Sequence, residues 1–271
     1  MVIGAQAADP DGNESAGETY VVFGTQAGFD TVVDLGAMYG ITGFVLEGID
    51  PYDYSGQVHT AGDLNGDGYS DLIIGAYKAD PRGNSAAGET YLVFGKSSEF
   101  APNISLESLD GNDGLILEGI DADDYSGRSV STAGDINGDG SPEIVVLSRS
   151  SSLGAGVDDL PWLKVFQWTG VDFSPSPSLI IGGIKNNARI RPSGLAILDF
   201  DNDESHEIAY AEGSPTRLVS VNVLNDIDGE LNTLQELSSD VLNVGSGPLF
   251  ITQVDYNKDN FSDLMAISPE Q

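Results

Sequence analysis

Four acidic nonapeptides recur along the chain: Asp63-Leu-Asn65-Gly-Asp67-Gly-Tyr69-Ser-Asp71, Asp135-Ile-Asn137-Gly-Asp139-Gly-Ser141-Pro-Glu143, Asp199-Phe-Asp201-Asn-Asp203-Glu-Ser205-His-Glu207 and Asp255-Tyr-Asn257-Lys-Asp259-Asn-Phe261-Ser-Asp263. Each sets oxygen-bearing side chains at positions 1, 3, 5 and 9. That is a donor set for a hard cation, and Ca²⁺ is the obvious occupant. One copy would pass for an ordinary Asp/Asn/Gly turn. Four copies point to a loop built for metal, with up to four Ca²⁺ sites. Residues 1, 3 and 5 are expected to converge on one point. Residue 7 (Tyr69, Ser141, Ser205 or Phe261) is expected to add a backbone carbonyl, and residue 9 a closing carboxylate. Gly68 and Gly140 at position 6 permit the sharp bend. Glu204 and Asn260 occupy that position later. The third loop, with Glu204, therefore has the poorest geometry despite its many acids.

The flanks of the loops decide the fold class. An EF-hand needs Glu at position 12 and a helix on either side. Position 12 holds Ile74, Val146, Tyr210 and Ala266, each inside an apolar run. The loops are therefore expected to join adjacent strands.

Longer repeats support an all-β array. Val2-Ile-Gly-Ala through Gly24 returns as Ile73-Ile-Gly-Ala through Gly95, 71 residues later. Leu46-Glu-Gly-Ile-Asp50 returns as Leu117-Glu-Gly-Ile-Asp121 at the same offset. The loops start at 63, 135, 199 and 255, so the later repeats shorten. Between loops lie β-branched and aromatic runs bounded by Gly, Pro, Asn and Asp: Leu72–Ile74, Thr90–Phe94, Leu115–Glu118, Leu163–Trp168, Leu179–Ile181 and Leu218–Val223. Glu230–Ser238 reads equally as a turn of helix or an edge strand. Four strands per repeat is the signature of a propeller blade. The chain is out of phase with its own repeat, because Val2–Ala5 and Leu264–Ile267 are both strands that follow a loop. The expectation is one propeller-like domain over 1–271 with three full blades and two partial ones, read as a fragment of a larger ring before a small closed ring carrying one redundant strand. Counted from loop starts, the units are 1–62 (partial), 63–134, 135–198, 199–254 and 255–271 (partial).

Charge narrows the partners. The 271 residues carry 43 acids against 11 bases, a formal net charge of -32. Nucleic acid and anionic membranes need a cationic face, so neither is expected as a partner. There is no Cys, hence no disulfide framework or thiolate metal site. The first residues form no signal peptide, and no run of 18 apolar residues occurs. We expect no membrane insertion and read the chain as part of a larger one.

The segment Ala61-Gly-Asp-Leu-Asn-Gly-Asp-Gly-Tyr-Ser-Asp-Leu-Ile-Ile-Gly-Ala76, followed by Gly88-Glu-Thr-Tyr-Leu-Val-Phe-Gly95, resembles the FG-GAP repeat of integrin α-subunit propellers and their bacterial relatives. Ala133–Gly140 fits the same pattern. Leu198–Asp203 and Val254–Asp259 look more like the related VCBS-type repeats. The resemblance implies an FG-GAP/VCBS-type β-propeller with structural Ca²⁺ in its inter-strand loops, outside the cell or on its surface. It also implies ligand recognition on the face away from those loops. The function expected is a non-catalytic adhesion or recognition module whose ligand is an extracellular protein or polysaccharide. The alternatives are a carbohydrate-binding propeller, lectin-like or accessory to a polysaccharide-degrading enzyme, and a purely structural spacer.

No residue is assigned a catalytic role. His59 and His206 are the only histidines, and neither lies near a nucleophile pattern. Asp9–Glu14 and Asp80–Asn84 read as Pro-containing turns before they read as weak cation loops. Trp162, Trp168, Tyr52, Tyr54 and Tyr125 are candidate sugar-stacking platforms, or simply packing at the blade rims.

Overall fold

The computed structural model describes residues 1–134 apart from 27, 30 and 39, and beyond them residue 169 and the strands from 143 onward named below. It is all-β, as the repeats predict. The chain divides into two compact units, Met1–Val130 and Ser131–Gln271.

The first unit holds two four-stranded sheets. Strands β1 (Val2–Ala5), β2 (Glu18–Val22) and β3 (Gly43–Glu47) form an antiparallel meander. Strands β4 (Ser55–Gly62), β5 (Asp71–Ala76) and β6 (Glu89–Val93) form the next. A short strand, β7 (Asn103–Ser105), leaves that second meander and pairs in parallel with β3. The chain then returns as β8 (Gly114–Glu118), antiparallel to β6. The sheet orders are thus β1-β2-β3-β7 and β4-β5-β6-β8.

Burial follows the residue pattern. Strand β5 reads Asp-Leu-Ile-Ile-Gly-Ala without alternation, and all six residues are buried. A continuous apolar strand of this kind needs cover on both faces. Phe44 and Leu46 of β3 share a core with Leu72, Ile74, Tyr91 and Val93 of the second sheet. Phe100 stacks on Phe44 at 4.2 Å between ring centres, and Leu106, just after β7, is fully buried in the same core. Strand β7 is fixed by Ile104 opposite Leu46, and by the Asn103 Nδ2 donating to Glu47 Oε1 at 2.7 Å. The loop of one repeat therefore seals the outer edge of the sheet before it.

Glycine stands where a strand comes close to the backbone that leads into the next repeat. A Cβ on Gly75 of β5 would lie 1.8 Å from the Gly127 carbonyl oxygen, and one on Gly4 of β1 would lie 1.9 Å from that of Gly56. Gly4 and Gly75 are 71 residues apart, so the same backbone-to-backbone approach is built twice.

Beyond Val130 the four-stranded pattern continues. Strands β9 (Ser129–Gly134), β10 (Glu143–Ser148), β11 (Trp162–Gln167) and β12 (Leu179–Ile181) form one sheet. Strands β13 (Arg191–Leu198), β14 (Glu207–Ser214), β15 (Arg217–Ile227) and β16 (Glu230–Ser238) form another, in sequence order. Glu230–Ser238 is thus an edge strand. Strands β17 (Phe250–Val254) and β18 (Asp263–Ile267) pair alone. Among the described residues, three sheets have four strands of their own, one has three plus the borrowed β7, and one has two, in keeping with a partial propeller of four-stranded blades. Apart from the first sheet, which opens on the post-loop strand β1, each sheet begins with the strand before its loop, so the hydrogen-bonded unit leads the unit counted from loop starts by one strand.

Candidate functional site

Each acidic loop connects two neighbouring strands, and in the first, third and fourth loops these pair antiparallel in one frame. The residue before position 1 pairs with the residue at position 9: Gly62 with Asp71, Leu198 with Glu207, and Val254 with Asp263. Glu143, the closing residue of the second loop, likewise opens β10. The position-12 residues Ile74, Val146, Tyr210 and Ala266 all lie inside strands. These are hairpin loops, and the EF-hand alternative is gone.

The first loop is described completely. Asp63 Oδ1 and Asn65 Oδ1 both accept from the Asp67 amide, at 2.9 and 3.0 Å, so these two oxygens face one point. Asp63 Oδ2 accepts from Gly68 N at 2.9 Å, and Asp67 Oδ1 from Tyr69 N at 2.9 Å. The Asn65 Nδ2 donates to Asp67 Oδ2 at 3.2 Å. Positions 1, 3 and 5 are thereby brought together around the amides of 67–69. Gly66 and Gly68 both take left-handed backbone, φ 75° and 90°. Sequence reasoning singled out position 6, and position 4 carries the same demand.

Asp71 is placed differently from the other three. It is fully buried, with Oδ2 accepting from Leu64 N and Oδ1 from Gly95 N, both at 2.8 Å. Burial raises its pKa, against the lowering effect of the amide bonds from Gly95, Leu64 and Asn65. It closes the loop from the inside and ties it to the end of β6. Glu143 is equally buried. Among the described residues, no three carboxylate or imidazole groups are gathered into a ready-made metal cage. The donor chemistry of the first loop nonetheless suits a hard cation. Every side-chain ligand offers oxygen, and a carboxylate oxygen holding one N–H bond keeps a lone pair free. Asp135, Asn137, Asp139, Ser141, Asp199, Asp201, Asp203, Ser205, Asp255, Asn257, Asp259 and Phe261 lie outside the described residues. So do His206 and Trp168. His59 sits at an exposed position on β4, opposite Ile73.

A second constellation lies at the other ends of the same strands. Tyr54 precedes β4, Tyr77 follows β5 and Tyr125 precedes β9. Their rings form a row, Tyr54 to Tyr77 at 5.8 Å and Tyr77 to Tyr125 at 6.3 Å. Lys78 Nζ lies 4.5 Å from the centre of the Tyr54 ring, and the Arg128 guanidinium 5.1 Å from that of Tyr77. Sequence reading named Tyr54 and Tyr125 but missed Tyr77, because no repeated motif marks it. The backbone around the row is unusual. Among the described residues, left-handed φ occurs at eight non-glycine residues in four pairs one repeat of 71 residues apart: Asp11 and Arg82, Ser15 and Ala86, Tyr52 and Asp123, Tyr54 and Tyr125. Each such residue costs about 1–2 kcal/mol relative to right-handed backbone.

The turns Asp9–Glu14 and Asp80–Asn84 reuse one device. Asp9 Oδ1 accepts from Ser15 N at 2.7 Å and Asp80 Oδ1 from Ala86 N at 2.6 Å. Asn13 and Asn84 donate to the Ile49 and Ile120 carbonyls.

Between these turns and the tyrosine row, Asp53 is buried. Burial pushes its pKa up to about 7, with Asp50, Glu89 and Asp80 adding to the rise and the Asp50 amide opposing it. The folded state then binds this proton more tightly than the unfolded chain. Its stabilising contribution is complete below the ordinary carboxylate range and is lost as pH rises through about 7. In metal-free buffer, urea melts of wild type should therefore show stability falling from pH 5 to pH 8. Asp53→Asn should flatten that slope; an unchanged slope would assign it to other groups.

Residues 51–93, which span β4, the first loop, β5 and β6, match the FG-GAP repeat family model. Phosphatidylinositol-glycan-specific phospholipase D of Bos taurus is 38% identical over 96 residues, covering 35% of this chain and 11% of that protein. The Rattus norvegicus protein of the same name is 33% identical over 167 residues, covering 59% of this chain and 19% of its own length. Integrin alpha-6 of Gallus gallus is 28% identical over 160 residues, covering 59% and 13%. The chain thus spans less than a fifth of the length of each of these three relatives.

Proposed function

Residues 51–93 are an FG-GAP repeat within an all-β array of four-stranded sheets, and from that premise we propose a calcium-stabilised, non-catalytic recognition module that works outside the cell. The observation that carries this reading is the shared frame of the first, third and fourth acidic loops, in which position 9 pairs with the residue before position 1. In the first loop Asp63, Asn65, Asp67, Asp71 and the Tyr69 carbonyl would hold Ca²⁺, and the corresponding residues would do so in the other three. The ion supplies charge neutralisation to carboxylates that otherwise repel one another.

Adhesion or ligand binding is the role best supported by the likeness to integrin alpha-6. The likeness to phosphatidylinositol-glycan-specific phospholipase D is to the repeat region of that enzyme, so it brings no catalytic residues with it. Both relatives favour an extracellular or surface location. The carbohydrate-binding version of this role gains weight from the tyrosine row, which sits away from the acidic loop.

Calorimetric titration of decalcified protein with CaCl₂ tests the reading. Saturable binding at up to four sites is expected, with one site lost in the Asp63→Asn, Asp67→Asn double variant. No saturable heat at millimolar Ca²⁺ would refute it.

A further inference from the structure

We propose that the row Tyr54–Tyr77–Tyr125, with Lys78 and Arg128, is a binding site for a carboxylated glycan, a chain containing uronic acid residues. The proposal rests on the recognition-module reading above and names the ligand class of that module.

Cations are scarce in the first unit. The first unit contains only four basic residues, Lys78, Arg82, Lys96 and Arg128. Two are ion-paired: Arg82 with Glu118 at 2.5 Å and Lys96 with Asp113 at 3.3 Å. Lys78 and Arg128 have no carboxylate within ion-pairing distance among the described residues. In a chain with a fourfold excess of acids, both instead lie over rings of one tyrosine row. An ammonium or guanidinium resting on an aromatic face keeps its outer donors free for an anion.

The backbone at the row is strained. Tyr54 and Tyr125 sit at φ 55° and 52°, where a bulky side chain is a genuine outlier. Both repeats keep tyrosine there, although glycine would remove the strain. Strained residues of this sort collect at ligand sites, where the surrounding fold holds them in place.

The row is also electrostatically separate from the acidic loop. The row lies at the ends of β4 and β5 opposite the acidic loop. Six to eight residues of strand separate them, roughly 20 Å at about 3.3 Å per residue. That exceeds the Debye length of about 8 Å at physiological salt. The loop carboxylates are therefore screened from a ligand at the row. Nearby, Asp123 accepts from the Tyr125 hydroxyl at 3.3 Å, and Asp53 is buried. A uronate fits this arrangement in two ways. Its C–H faces pack on tyrosine, and its carboxylate reaches Lys78 or Arg128. Ring centres 5.8 and 6.3 Å apart suit a chain of successive sugars rather than one isolated anion.

The test is calorimetric titration of the intact, calcium-loaded protein with hexasaccharides containing glucuronate, galacturonate or mannuronate, each against its carboxyl-reduced counterpart. At least one uronate should bind, and carboxyl reduction should weaken it by about tenfold or more. Lys78→Glu and Arg128→Glu should each weaken it by a similar factor without moving the melting temperature. If either fails to fold, Lys78→Gln and Arg128→Gln serve in its place. Tyr54→Gly should relieve the backbone and still lose binding. Absence of binding by all three hexasaccharides, equal binding of the reduced sugars, or indifference to the Lys78 and Arg128 variants would overturn the proposal. A protein that binds Ca²⁺ but no uronate defeats this inference alone; one that binds no Ca²⁺ defeats the reading beneath it.

Discussion

Gly75→Ala should lower the melting temperature by roughly 10 °C or prevent folding altogether. The added Cβ would sit 1.8 Å from the Gly127 carbonyl oxygen and 2.8 Å from its carbon. Both are backbone atoms, so no rotamer change can make room. Overpacking a core with flexible neighbours costs about 1–3 kcal/mol, and a rigid neighbour should push the cost to the top of that range or beyond. Gly24→Ala is the matched control, because nothing lies within 4 Å of a Cβ there. Its melting temperature should stay within about 1 °C of wild type, as for surface substitutions away from special features. Equal melting temperatures for the two variants would show that β5 does not meet the Gly127 backbone at Gly75.

Removal of calcium should have the other large effect. Each site at tenfold excess over its Kd contributes about 1.4 kcal/mol to the folded state. Four such sites sum to about 6 kcal/mol, comparable to the whole stability of many domains. At roughly 2–4 °C per kcal/mol, chelation should lower the melting temperature by about 10–20 °C. The physical origin is in the first loop, where the carboxylates of Asp63 and Asp67 are held close to one another on the consecutive backbone amides of Asp67, Gly68 and Tyr69. Without a cation that arrangement carries uncompensated repulsion. Asp71 is buried on two amide bonds and should keep part of the loop in shape even then.

Much of this fold was legible in the residues. The runs Leu72–Ile74 and Leu115–Glu118 are short, apolar and bounded by turn formers, and they became β5 and β8. Hydrophobic residues at position 12 of each loop were enough to replace helices by strands, because a strand buried on both faces leaves no place for a liganding Glu. Strand β7 was not legible. It has three residues, and its partner Leu46 lies 58 positions before Ile104, so no local pattern could reveal the pairing. The tyrosine row was half legible. Tyr54 and Tyr125 recur at the repeat offset, but Tyr77 joins them only through the tertiary fold. The left-handed backbone at Tyr54 also had no signal, since glycine or asparagine is the usual mark of such positions. Among the loop ligands, residue types revealed the oxygen donors. They did not reveal that Asp71 is buried and bound to Gly95, a residue 24 positions away.

The central claim is that calcium in the acidic hairpins holds this fold together. Its most direct test compares the melting temperature in excess CaCl₂ with that in EGTA, for wild type and for the Asp63→Asn, Asp67→Asn double variant. Wild type should lose about 10–20 °C on chelation, and the variant roughly a quarter less, because one of four loops no longer responds. An identical melting temperature in CaCl₂ and EGTA for wild type would contradict the claim and leave the four loops as ordinary turns.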